Sequence, residues 1–193
     1  MTPSVNAEAT RLLGFNHHLL DQALGLVAAH ERPGAPPFAT PAGAHLRHVI
    51  EHYEALLIPR RPGTVDYDSR RRDPEVERSP RAARARLQAL QQCLQLWRDA
   101  ALGAVLQVRG QGGTAGEFGF EVASTLGREL AFLASHTVHH FALLKPHCLQ
   151  HHLAVDADFG KAPATVAHER ARDTAPTPTL MKEIPCHNAL SAV

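Results

Sequence analysis

Four stretches of this chain repeat apolar residues every three to four positions, and segments rich in proline or glycine separate them. That period marks helices with one buried face and leaves little of the chain for a sheet protein. The first stretch runs from about Asn6, placed to cap it, to His30, with Leu12, Leu13, Leu19, Leu20, Ala23, Leu24 and Val27 along its face. Arg32-Pro-Gly-Ala-Pro-Pro-Phe then breaks it. The second is expected to start at Thr40-Pro41, with threonine as the cap and proline in the first helical position, and to stop near Pro59. Ser79-Pro80 repeats that start for the third, which carries Leu87, Leu90, Leu94 and Trp97 to about Ala101. The fourth begins near Ser124 and carries Leu126, Leu130, Phe132, Leu133, Phe141, Leu143 and Leu144, until Pro146 ends or kinks it.

The connections differ in kind. Residues 60 to 79 interleave arginines with Asp66, Asp68, Asp73, Glu75 and Glu77, the pattern of a mixed-charge surface crossover. Ala104–Val108 and Phe118–Val122 read as two short strands around a glycine-rich loop. The expected fold is therefore all-α: a four-helix bundle with a long crossover, plus a small β-hairpin between helices three and four. The bundle should occupy residues 1–172. Asp173-Thr-Ala-Pro-Thr-Pro-Thr opens a segment, 173–193, whose composition is that of a disordered tail.

Charge and cysteine content narrow the partners. Twenty Lys and Arg against 19 Asp and Glu leave a net charge of +1, which argues against a nucleic-acid partner and for a small-molecule one. No apolar run reaches the roughly 18 to 20 residues that cross a bilayer, so no membrane is expected. The first residues lack the features of a secretory signal, so the cytoplasm is the expected compartment. Cys93, Cys148 and Cys186 form no CxxC pair, so neither a disulfide framework nor a thiolate zinc site is expected. Cys93 reads as a small residue of a buried face.

One number stands apart: the chain has 14 histidines. They cluster. His45, His48 and His52 fall on the second helix, and His136, His139 and His140 on the fourth. Each helix holds an HxxxH pair, His48/His52 and His136/His140, whose members sit one turn apart on one face and can share an ion. At about 100° per residue, His136 and His140 lie in the apolar stripe of the fourth helix, with Glu129 beside them. On the second helix His48 and His52 lie about 60° and 20° from His45, inside a broad inward arc, while Arg47, Glu51 and Glu54 gather on the opposite side. Buried neutral imidazoles need partners, and a divalent ion satisfies several at once. A diiron site would need bridging carboxylates, and Glu51 and Glu54 are on the wrong face for that. His17 and His18 belong to the first helix. His147, His151 and His152, after Pro146, read as a solvated helix end or loop.

Gly43-Ala-His-Leu-Arg-His-Val-Ile-Glu-His-Tyr and Leu133-Ala-Ser-His-Thr-Val-His-His-Phe-Ala-Leu-Leu resemble the two metal-binding helices of the DinB/YfiT-like family. Val65-Asp-Tyr-Asp-Ser-Arg and Asp158-Phe-Gly-Lys-Ala-Pro-Ala-Thr resemble a bacterial subgroup of it, and the likeness spans roughly Asn6 to Arg172. It implies a four-helix bundle, often dimeric, with one divalent metal held by three histidines. Carried over residue by residue, His48 matches the first ligand and His136 and His140 the HxxxH pair. His52 rivals His48, and helical geometry leaves the choice between them open. His139 matches a neighbour of the site.

Family members include thiol transferases and isomerases of thiol adducts as well as proteins without an assigned reaction, so the resemblance implies a site more sharply than a substrate. The metal would be zinc, nickel or iron, since imidazole suits all of them. Three imidazoles leave coordination positions open, as catalytic sites do. The expected function is a metal-dependent transferase or hydrolase acting on a small molecule, with thiol transfer as one such reaction. The alternative is a non-enzymatic or stress-response module in which the ion staples the second helix to the fourth. Glu129 is a candidate for supporting the site or facing substrate, or for a plain ion pair with an arginine. Tyr53 and Tyr67 are candidates for a polar group in the pocket.

Overall fold

Capping residues and prolines set most of the helix boundaries. The structure, a computed structural model, describes residues 5–97 and 100–174. Helix α1 spans Val5–His30 and α2 spans Ala44–Leu57, preceded by a π-helical turn at Ala39–Gly43. Strand β1 (Thr64–Asp66) and helices α3 (Pro74–Arg78) and α4 (Pro80–Leu96) follow, then strands β2 (Val105–Gly112) and β3 (Phe118–Thr125) and helix α5 (Leu126–Gln150). Asp73, Ser79 and Thr125 each stand in extended conformation and accept a backbone N–H of the turn that they open, at Glu75, Ala82 and Arg128. Pro74 and Pro80 occupy first helical positions, where a missing N–H costs nothing.

Helices α1 and α2 both pack against α4 and α5. Leu20, Leu26, Leu46, Ile50, Leu87, Leu90, Leu130 and Leu144 are fully buried between them. One polar node ties three helices inside this core. Tyr53 of α2 donates to Asn16 of α1 at 2.8 Å, and the Asn16 amide donates to the carbonyls of Leu12 (2.9 Å) and Leu130 (3.3 Å). Every polar atom named is paired, so the node fixes helix register at little desolvation cost.

The expected four-helix bundle with a crossover and hairpin is corrected by what lies between the helices. The described residues form six helices and a three-stranded mixed sheet, in the order β1-β2-β3, so the chain is mainly helical but not a plain bundle. The hairpin is present: β2 and β3 pair antiparallel from Val105↔Thr125 to Gly112↔Phe118. The addition is β1, which pairs parallel with β2 through Val65↔Val108. The segment read as an irregular crossover thus contributes a strand and, with Val76 buried, the short helix α3. Its apolar content is too small to show a period, which is why sequence pattern missed it.

Three boundaries also differ. Thr40 is extended and makes no side-chain cap, so α2 proper begins at Ala44 rather than at Thr40-Pro41. Helix α4 ends at Leu96, and Pro146 lies inside α5 without ending it. Two compact units are distinguished, meeting at Ala162 and Pro163. The second contains helix α6, Pro163–Thr174, which buries no residue of its own. The segment 175–193, most of the expected tail and including Cys186 and His187, lies outside the described residues. No helix among the described residues is long and apolar enough to cross a membrane.

Two glycines, Gly14 and Gly25, sit on exposed positions inside α1, and a Cβ on either would meet nothing within 4 Å. Glycine in a helix interior costs roughly 0.5–1 kcal/mol relative to alanine. Gly14→Ala and Gly25→Ala are each expected to stabilise the protein by about that amount, as a raised midpoint in denaturant unfolding. A midpoint lowered by either would show that the glycine has a role that its open surroundings do not reveal.

Candidate metal centre

Helices α2 and α5 lie side by side, and their histidines meet there. His48 of α2 and His136 and His140 of α5 each offer a nitrogen atom within 4.8 Å of the other two. Their ring centres are 5.0 Å (His48–His136), 4.6 Å (His48–His140) and 4.6 Å (His136–His140) apart. Imidazoles around one tetrahedral ion, with metal–nitrogen bonds of about 2.0–2.1 Å, place ring centres roughly 5 Å apart. The ring centres therefore stand at about the distance that a shared ion would set.

The hydrogen bonds show which nitrogens remain. His140 Nδ1 is bonded to His45 Nδ1 at 2.8 Å, and Arg70 donates to His48 Nδ1 at 2.8 Å, so each ring keeps Nε2. His136 Nε2 is buried and has no hydrogen-bond partner. An orphaned buried nitrogen costs about 1–3 kcal/mol unless something satisfies it. A cation fits three converging imidazole nitrogens once each of them presents its lone pair. His45 has the position of an outer partner that orients a ligand ring. The Arg70 bond carries its own requirement. A guanidinium only donates, so a neutral His48 holds its proton on Nε2 and presents a lone pair there only once Arg70 releases Nδ1 to take that proton.

Of the remaining sequence candidates, His52 is buried and donates Nδ1–H to the His48 carbonyl at 2.7 Å, and its ring stacks on Tyr67 at 5.3 Å. It does not belong to the group of three. His139 contacts the His140 ring at its edge, 5.5 Å away. Phe132 stacks on His136 at 5.4 Å, and the Arg128 guanidinium lies 5.3 Å from its ring centre. Tyr67 also packs on Phe132 and donates to Glu129 Oε2 at 2.7 Å.

Glu129 is completely buried. It accepts from Ser124 at 2.5 Å and pairs with Arg128 at 2.8 Å, in addition to the Tyr67 bond. It thus supports the aromatic wall of the site through Tyr67 and makes the arginine pair as well. Burial and the Glu129 bond push the Tyr67 phenol's pKa up. Tyr53 is corrected: it is bound to Asn16 in the core and supplies no polar group to the site. Glu51, placed outward by helical periodicity, is buried. Its Oε1 accepts the Asp73 N–H at 2.8 Å, and Arg70 lies 3.6 Å from Oε2. The crossover folds over that face of α2, which a single helix's periodicity cannot register. His147, read as solvated, lies within α5 with Nε2 buried and its ring 5.8 Å from that of His30.

Burial lowers the pKa of His45, His48, His52, His136 and His140, helped by neighbouring rings and, at His48, His52 and His136, by Arg70. His48 and His140 fall to about 3 and His52 to about 4, and His45 and His136 are also lowered. At neutral pH these rings are uncharged, the state in which an imidazole can ligate. Their folded-state pKa lies below the unfolded value, so the unfolded chain binds more protons as pH falls. The stability that they contribute is complete above about pH 6.5 and is lost on acidification toward the folded values. The midpoint of thermal unfolding of chelator-treated protein is expected to drop between about pH 6.5 and 5, above the carboxylate range, and less steeply in His48→Ala/His140→Ala. A flat profile in the wild type over that interval would contradict the burial described.

No protein-family description and no solved structure matches the chain. Among curated proteins, the chain is similar to FK506-binding protein 5 of Rhizopus delemar, at 29% identity over 104 residues. That segment is 54% of this chain and 27% of the fungal protein, so the chain spans about a quarter of the relative's length.

Proposed function

We propose that the protein is a divalent-metal enzyme of the DinB/YfiT-like kind, acting on a small molecule by thiol transfer or hydrolysis. The observation that carries this reading is the convergence of His48, His136 and His140 with His136 Nε2 buried and unpartnered. Those three residues would hold the ion, zinc, nickel or iron. An ion with open positions supplies Lewis acidity, which lowers the pKa of a thiol or of water beside it. The chain's own part is positional. His45 orients the His140 ring, Phe132 and Tyr67 wall one side against water, and Glu129 holds the Tyr67 hydroxyl.

The test uses untagged protein purified under metal-replete conditions, with metal content measured after dialysis. About one equivalent is expected in the wild type and none in His136→Ala/His140→Ala. A wild type without bound metal would overturn the reading. Cobalt-substituted protein then separates enzyme from staple. A small thiol that changes the visible spectrum reports an open position. A spectrum insensitive to thiols and to other small ligands, together with a large chelator-induced fall in melting temperature, favours an ion that only ties α2 to α5.

A further inference from the structure

Arg70, which bonds His48, also lines a cavity of about 480 Å³ between the segment around β1 and the faces of α2 and α4. Its volume is in the range of small-ligand sites, roughly 300–1,000 Å³. Six arginines line it, at positions 60, 61, 70, 71, 86 and 109, against three carboxylates, Glu51, Glu54 and Asp66. The carboxylates are engaged: Glu54 by Arg86 at 2.5 Å, Glu51 by Arg70 and the Asp73 amide, and Asp66 by the amides of Asp68 and Ser69 at 3.1 and 2.8 Å. Arg109 pairs with Glu121 at 2.7 Å. Arg60 reaches only the Ser69 hydroxyl, at 3.2 Å, and Arg61 and Arg71 have no carboxylate partner among the described residues. Counted over these groups, the cavity keeps an excess of about two positive charges, inside a chain whose net charge is only +1.

We infer that this cavity binds a small dianion, a phosphoryl group or a dicarboxylate, with Arg61 and Arg71 as its free forks and Arg70 as its inner wall. Guanidinium forks match the paired oxygens of either group. A dianion on Arg70 would lie next to His48, because the same guanidinium holds His48 Nδ1 at 2.8 Å. The site would therefore select negatively charged substrates for the neighbouring centre. That link rests on the metal-centre reading; dianion binding itself does not, and it is measured on metal-free protein.

The experiment is calorimetric titration of the chelator-treated full chain with inorganic phosphate and with succinate, at the ionic strength of a sodium chloride control. One saturable site per chain is expected, weakened at least about tenfold in Arg61→Ala/Arg71→Ala, whose exposed side chains leave the core untouched. Tighter phosphate binding identifies a phosphoryl ligand and tighter succinate binding a dicarboxylate. Absence of saturable binding by both, or binding that survives the double substitution, overturns the inference. So does a short single-stranded RNA that binds more tightly than either and loses affinity in the same variant, since that marks an open polyanion surface. A protein that fails to retain metal but binds phosphate or succinate would separate this inference from the metal reading.

Discussion

Alanine at His48, His136 or His140 is expected to lower affinity for a divalent ion by more than about 100-fold, the upper end of what loss of an outer-shell partner alone costs. His45→Ala, which removes only the orienting bond to His140, is expected to cost about 10- to 100-fold. His52→Ala and His139→Ala should cost less than either class, since neither ring belongs to the converging group. Competition against a chromophoric chelator reads all six variants on one scale. Circular dichroism on the metal-free forms shows whether a weak binder is still folded. The ordering is the content of the prediction. A His52→Ala variant as weak as His136→Ala, with His48→Ala unaffected, would move the α2 ligand by one turn.

Gly43→Ala is expected to be among the most destabilising single-methyl additions in the chain. A Cβ there would lie 1.9 Å from the Glu77 carbonyl oxygen and 2.9 Å from its carbon, both backbone atoms of α3. Backbone cannot swing aside as a side-chain tip can, so α3 or the start of α2 must move. Overpacking of this kind costs about 3 kcal/mol, the upper end of its usual range. For a chain of this size that lowers the melting temperature by roughly 6–12 °C. The displacement would also strain the Arg47–Glu77 pair, 3.2 Å apart. Gly25→Ala, with open space around it, is the contrasting control and carries the opposite sign. An unchanged melting temperature in Gly43→Ala would mean that the close approach of α3 is not maintained in solution.

The parts of the molecule legible in the sequence are those written by period and spacing. The apolar repeats locate α1, α2, α4 and α5, Ser79-Pro80 marks the start of α4, and the glycine-rich loop marks the hairpin. Spacing alone brings His136 and His140 onto one face of α5. What remained hidden depends on the crossover's return. No local pattern says that three residues at Thr64–Asp66 will find β2 forty positions later, or that Arg70 will reach His48. The same return buries Glu51, a residue that periodicity alone assigns to solvent. The choice of His48 over His52 was likewise left open by helical geometry. Only packing of α5 against α2 brings a His48 nitrogen into the group of three, while His52 turns toward Tyr67.

The two helices that bring the histidines together are far apart along the chain, with His48 roughly 90 residues before His136 and His140, so their meeting is a late, entropically costly contact. A half-folded chain holds the HxxxH pair of α5 alone, and two imidazoles on one helix hold an ion far less firmly than three. Metal occupancy would thus act as a proofreader of assembly, retained by chains that have completed the α2–α5 interface and surrendered by those that have not.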